Sequence, residues 1–399
     1  MTNLPDPRYV RFGWVAGDEA AALADAGTPA AGITHVAPCW FVLDAEGRLE
    51  PRPDEVPAGP GGSLDPAGAQ EPDGSPEPSG FRDPAGWAQG RMEAWRRRGI
   101  AVWPVIGTPE DDGAVLRSLL DHEQGRRRAA DAVQRLCRDG GLPGVTLAAA
   151  GAFPEGRDAF SAFVEELAWA LHASGARLAL VVPPQVTDPA AAAAPDPLAD
   201  PGGWLQARAA SFDYRALAVY ADLFIVDTRD YAVRPRIRRD AAGRLHVLGG
   251  PGAVAPQGWL ESVIDHALLH VPARRLVLTL PLYGRAWPAG GQDADPDPGG
   301  AGDAAGRLVP LADAGRLLEG AQAVEEQPDR ASGGRRVAWT DAGGRPWVLY
   351  IDDAPSLEAK AGLVARHDLG GLAFWRLGFG TPQAWAAVDR ALAAPRRPA

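Results

Sequence analysis

Eight short and almost uninterrupted apolar runs recur along this 399-residue chain, at 9–17, 32–44, 100–107, 141–151, 176–184, 221–227, 275–284 and 370–378, most of them followed by a segment of helical periodicity. Strands that are apolar on both faces belong to a parallel sheet covered by helices. Eight such units close on themselves as a barrel. An open doubly wound sheet is the rival arrangement, but the count of eight and the lack of a glycine-rich phosphate fingerprint after the first strand favour closure. The expected fold class is therefore α/β, a (β/α)8 TIM barrel, and an apolar share of 46% is enough to fill its core.

Two segments break the alternation. Residues 51–84 are mostly Pro, Gly, Ser, Asp and Glu with almost no large apolar side chains, so they are expected to form a mobile surface insertion. Residues 288–353 combine a Gly/Asp/Pro-rich piece, a short helix near 311–319, and two runs, 336–339 and 347–350, about the turn Ala342-Gly343-Gly344. This reads as a small α+β insertion after strand 7 that contains a hairpin. The barrel is then expected at 1–287 and 354–399. An Ala- and Pro-rich stretch at 189–201 forms a further irregular excursion.

A formal charge of −11 disfavours nucleic acid and anionic membrane surfaces as partners and leaves neutral sugar polymers open. Cys39 and Cys137 are too few for a disulfide framework. No His/Cys/carboxylate cluster has metal-ligand spacing, and neither a P-loop nor a G-x-S-x-G elbow is present, so no metal and no cofactor are expected. Nowhere do eighteen uncharged apolar residues run together, and the first eight residues lack the features of a secretory leader. No membrane span is expected, and the cytoplasm is the default compartment.

Working groups of such a barrel lie at the C-terminal ends of its strands. Those ends carry Trp14, Trp40, Trp103, Ala148 to Ala150, Pro183, Asp227 with Arg229 and Asp230, Tyr283 with Arg285, and Trp375 with Arg376. Aromatic planes suit the apolar C–H faces of pyranose rings, and Asp, Arg or Tyr can meet the hydroxyl edges. Trp14, Trp40, Arg229, Asp230, Tyr283 and Trp375 are therefore the substrate-binding candidates. Each Trp taken alone is better read as core or rim packing, and only their joint placement points to a groove; Asp227 and Asp230 also fit helix caps or loop hydrogen-bonders.

The chain resembles the family 18 glycoside hydrolases, in the chitinase-like branch that includes spore-germination and cell-wall glycosidases. The resemblance lies in Ile33-Thr34-His35-Val36-Ala37-Pro38-Cys39-Trp40-Phe41, in residues 157–175, and in Gly250-Pro251-Gly252-Ala253-Val254-Ala255-Pro256. It continues in Leu280-Pro281-Leu282-Tyr283-Gly284-Arg285-Ala286-Trp287 and Gly371-Leu372-Ala373-Phe374-Trp375-Arg376-Leu377-Gly378. It covers nearly the whole chain and implies a TIM barrel with an α+β insertion after the seventh strand.

Members of that family share D-G-x-D-x-D-x-E on the fourth strand. Its final Glu protonates the leaving oxygen, and the preceding Asp orients the substrate N-acetyl group for attack. Aligned through Gly144, this chain has Pro143, Thr146, Ala148 and Ala150 at the four acidic positions. The family's M-x-Y-D on the sixth strand becomes Asp227-Thr228-Arg229-Asp230. Three readings follow. The first is a non-catalytic barrel, a pseudoenzyme, that binds a neutral or N-acetylated glycan of chitin or peptidoglycan type. The second is a hydrolase whose acid has moved to Glu155, Asp227 or Asp230. The third is a structural or regulatory protein partner in polysaccharide or cell-wall metabolism.

Overall fold

The computed structural model describes residues 9–52, 84–109, 113–149, 153–187, 209–229, 231, 236–239, 245–248, 251–289 and 306–393. Ala150, Asp230 and most of the 51–84 insertion lie outside the described residues, as does the 189–201 excursion.

Eight parallel strands form the barrel. They are β1 (Val10–Val15), β2 (His35–Pro38, resuming as Phe41–Leu43), β3 (Ala101–Val102, resuming as Val105–Gly107), β4 (Gly144–Ala148), β5 (Arg177–Val182), β6 (Leu223–Val226), β7 (Leu276–Pro281) and β8 (Gly371–Trp375). Each pairs in parallel with the next, and β8 pairs with β1 through Val10↔Gly371 to Gly13↔Phe374, which closes the ring. The fold is a (β/α)8 TIM barrel. β2 and β3 are interrupted beside Pro38 and Pro104, residues that have no N–H to donate to a ladder.

Alternation along the strands separates two cores. One lies inside the barrel and contains Phe12, Trp14, Ala37, Cys39, Trp103, Val105, Ala179, Ile225, Val277 and Ala373, with Ala148 and Trp375 packed against it. The larger lies between strands and helices and takes the alternate residues, Val145 and Leu147 on β4 among them. Thr146 and Ala148 therefore face inward.

Helix Glu123–Gly140 buries Ala129, Ala130, Val133, Leu136 and Cys137 on one face and stops at Gly141, whose φ of 63° suits a residue without Cβ. Helix Arg157–Ala173 buries Phe160, Phe163, Val164, Leu167, Ala168 and Leu171, the helical stripe expected from the sequence.

A five-stranded antiparallel sheet follows β7. Its order is Arg307–Pro310, Tyr283–Pro288, Pro346–Ile351, Arg335–Thr340 and Gln322–Pro328. The turn of its hairpin is held by Asp341, whose carboxylate accepts from the Gly343 and Arg345 amides at 2.9 Å. The first strand of this sheet starts at Tyr283, two residues after β7 ends. Tyr283 therefore belongs to the small sheet and not to the end of a barrel strand. No helix among the described residues is long and apolar enough to cross a membrane.

Candidate functional site

β4 delivers two inward side chains to the place where the acids of the resembling family would stand. Thr146 is fully buried, and its hydroxyl donates to the Trp103 carbonyl of β3 at 3.0 Å. Its proton is therefore committed inside the barrel wall. Ala148 is half-buried and packs against the interior cluster. A methyl group at that position neither gives nor takes a proton.

The space beneath is filled by aromatic rings. Trp103 lies edge-on to Phe12 at 6.5 Å and to His35 at 5.1 Å between ring centroids, and His35 stacks on Phe12 at 6.0 Å. Gly144 makes room for this packing, because a Cβ there would stand 2.8 Å from the Trp103 ring and 2.7 Å from the Arg177 carbonyl. Burial pushes the His35 imidazole down to about 4, so it is neutral in the neutral range. The indole N–H groups of Trp14 and Trp103 and the hydroxyl of Thr279 are buried without a hydrogen-bond partner among the described residues.

At the ends of β6 and β8 a second arrangement forms. Asp227 receives Arg229 in a bidentate pair, Nε to Oδ1 and a terminal nitrogen to Oδ2, both at 2.5 Å, with about a fifth to a quarter of each side chain exposed. The Arg229 guanidinium lies over the ring of Trp375 at 3.8 Å, and Trp14 tilts against Trp375 at 5.6 Å. Between them, Thr228 is buried and donates to the Thr279 carbonyl, which ties the end of β6 to β7.

The structure thus brings together Trp14, Asp227, Arg229 and Trp375. It does not bring Trp40 to them. Ala37 and Cys39 face the interior, so Trp40, like Val36, faces outward: it is 1% exposed, joins the outer core, and lies beneath the Arg91 guanidinium at 5.3 Å. The expectation that Trp40 lines a sugar groove is corrected by that outward, buried placement. Tyr283 is also 1% exposed, on the small sheet, with the Arg285 guanidinium 5.7 Å from its ring. Glu155 is exposed in the turn Pro154–Gly156 that leads into helix Arg157–Ala173. Asp230 and Ala150 fall outside the described residues.

Sequence reasoning placed Trp103 at a strand end but gave it no role, and it passed over His35, Thr228 and Thr279. Two-residue alternation counted from Phe12 and Thr146 is the signal that finds the inward set.

Comparison with known proteins bears on this arrangement. The family model for glycosyl hydrolases family 18 matches residues 87–380. The cortical fragment-lytic enzyme of Bacillus subtilis (strain 168) is 26% identical over 269 residues, covering 67% of this chain and 54% of that protein. The chain thus spans about half the length of that curated relative. A chitinase from Chromobacterium violaceum ATCC 12472 superposes with a TM-score of 0.69 at 21% identity, over 97% of this chain and all of that one. Human YKL-39, described as a pseudo-chitinase with retained chitooligosaccharide binding properties, superposes with a TM-score of 0.66 at 12% identity, over 97% of this chain and all of that one. With its closed barrel, its inserted sheet and a family match across most of its length, the chain belongs to the glycosyl hydrolases of family 18.

Proposed function

We propose that this family 18 barrel binds a neutral or N-acetylated glycan of chitin or peptidoglycan type at its mouth and does not hydrolyse it by the family's acid chemistry. The observation that carries the reading is β4. A hydroxyl donating to the Trp103 carbonyl and the Ala148 methyl stand at the motif's second Asp and at its orienting Asp, and the chain has Ala150 at the protonating Glu. General acid catalysis is worth roughly a hundred- to ten-thousand-fold, and substrate-assisted hydrolysis still requires the acid.

Trp375, half-buried at the end of β8 and backed by the buried ring of Trp14, supplies apolar surface for a pyranose face, and Asp227 supplies a polar edge. YKL-39 is a precedent on the same fold, since its description joins loss of chitinase activity to retained chitooligosaccharide binding. A relocated acid is less well supported. Both carboxylate oxygens of Asp227 are engaged by Arg229 and are not free to meet a glycosidic oxygen.

The test is calorimetric titration with chitin oligomers and peptidoglycan fragments, paired with chromatography of the same mixtures. Binding without shorter products supports the reading, whereas products that vanish on Asp227→Asn would establish the relocated acid. Absence of binding to any glycan would leave a structural role in a polysaccharide-processing assembly.

A further inference from the structure

On the flank of the barrel, away from the mouth residues, a groove of about 400 Å³ runs between helix Glu123–Gly140 and the start of helix Pro84–Arg96. Its apolar lining is Leu49, Ala85, Ala132 and Leu136, and its charged lining is Arg48, Arg128, Arg135 and Asp139. Arg128 and Arg135 are exposed, and neither makes an ion pair or side-chain hydrogen bond among the described residues. Most other exposed arginines of this acidic chain are paired, Arg127 with Glu123 at 2.6 Å and Arg138 with Asp139 at 2.8 Å among them.

The groove is held in shape by its neighbours. Gly47, at φ 78°, presses against helix Glu123–Gly140 so closely that a Cβ would fall 2.1 Å from the Gly125 carbonyl. This contact seats the hairpin that carries Arg48 on the helix that carries Arg128 and Arg135. Arg48 is oriented in turn by Asp44 at 2.7 Å and Glu46 at 3.2 Å. Seven residues separate Arg128 from Arg135, two helical turns on one face, which places them about 10 Å apart.

We propose that this groove is a second glycan site, separate from the barrel mouth, for an acidic polysaccharide with one carboxylate in each disaccharide. The apolar lining matches the C–H faces of sugar rings. Two arginines whose Cα atoms stand about 10 Å apart along one helix face can reach successive carboxylates along an extended disaccharide polymer. A phosphate polymer would satisfy the arginines but make no use of Leu49, Ala85, Ala132 and Leu136. The site would hold the protein on a charged matrix whether or not the mouth is engaged.

Titration of the full chain with hyaluronan oligosaccharides, which carry one carboxylate per disaccharide, tests this at low and at moderate salt. Binding is expected to weaken with salt and to fall about tenfold or more in Arg128→Gln/Arg135→Gln. Arg366→Gln/Arg390→Gln, an equal charge change on the helices Ala354–Arg366 and Pro382–Ala393, should leave it within about twofold. Trp375→Ala should leave it unchanged as well, so failure of the mouth reading and failure of this one are separable. Equal losses in the two arginine pairs, equal affinity for polyphosphate, or no binding to the wild-type chain would each overturn the proposal. So would binding that appears only when the seven carboxylates between residues 53 and 83 are replaced by amides, because the chain itself would then screen the groove.

Discussion

The guanidinium of Arg229 lies 3.8 Å from the ring of Trp375 while Asp227 holds it from the side through two hydrogen bonds of 2.5 Å. A pyranose that stacks on that face of Trp375 must displace the guanidinium. Stacked cations contribute about 0.5–2 kcal/mol, so Arg229→Gln is expected to tighten chitin-oligomer binding about three- to tenfold. Calorimetry checks this, and weaker binding would instead make Arg229 a direct sugar contact.

Thr146 sets the limit on restoring the family's acids. It is fully buried, and among the described residues its one side-chain bond is donated to the Trp103 carbonyl. A carboxylate there would be buried away from water and placed beside the Trp103 carbonyl oxygen, so Thr146→Asp is expected to cost about 3 kcal/mol or more. Thr146→Val forfeits one hydrogen bond and should cost about 1 kcal/mol. Urea unfolding of the two variants distinguishes these outcomes.

Gly144 and Trp103 are coupled by the close approach of the ring to the strand. Gly144→Ala is expected to destabilise by about 1–3 kcal/mol through overpacking. Part of that cost should disappear in Gly144→Ala/Trp103→Leu, and a double-mutant cycle with no coupling would contradict the packing described.

His35 carries a pH dependence. Its folded-state value of about 4 lies below its ordinary value of 6.5, so the unfolded chain binds the extra proton between them. The contribution is fully present above 6.5 and is lost as pH falls towards 4, on the order of 3 kcal/mol in total. His35→Phe keeps an aromatic ring between Phe12 and Trp103 and should flatten that part of the stability–pH curve.

The eight-unit barrel was legible because each strand is apolar on both faces and each helix has its own stripe, as at Phe160, Phe163, Val164 and Leu167. The inward placement of Thr146 and Ala148 was legible because Val145 and Leu147 alternate with them along an apolar strand. Trp40 was misplaced because it was read from its position at a strand end, whereas the alternation that turns Ala37 and Cys39 inward turns Val36 and Trp40 outward. Tyr283 was attached to the wrong strand because the apolar run continues without punctuation from β7 into the small sheet. The Arg229–Trp375 contact joins residues 146 positions apart, and no local pattern records it.

Native mass spectrometry after prolonged incubation of the full chain with a chitin oligomer tests the central claim most directly. The expected result is a complex whose added mass is that of the intact oligomer, with no shorter sugars in free or bound form. Accumulation of shorter oligomers at a rate above the protein-free control, lost on Asp227→Asn, would contradict it.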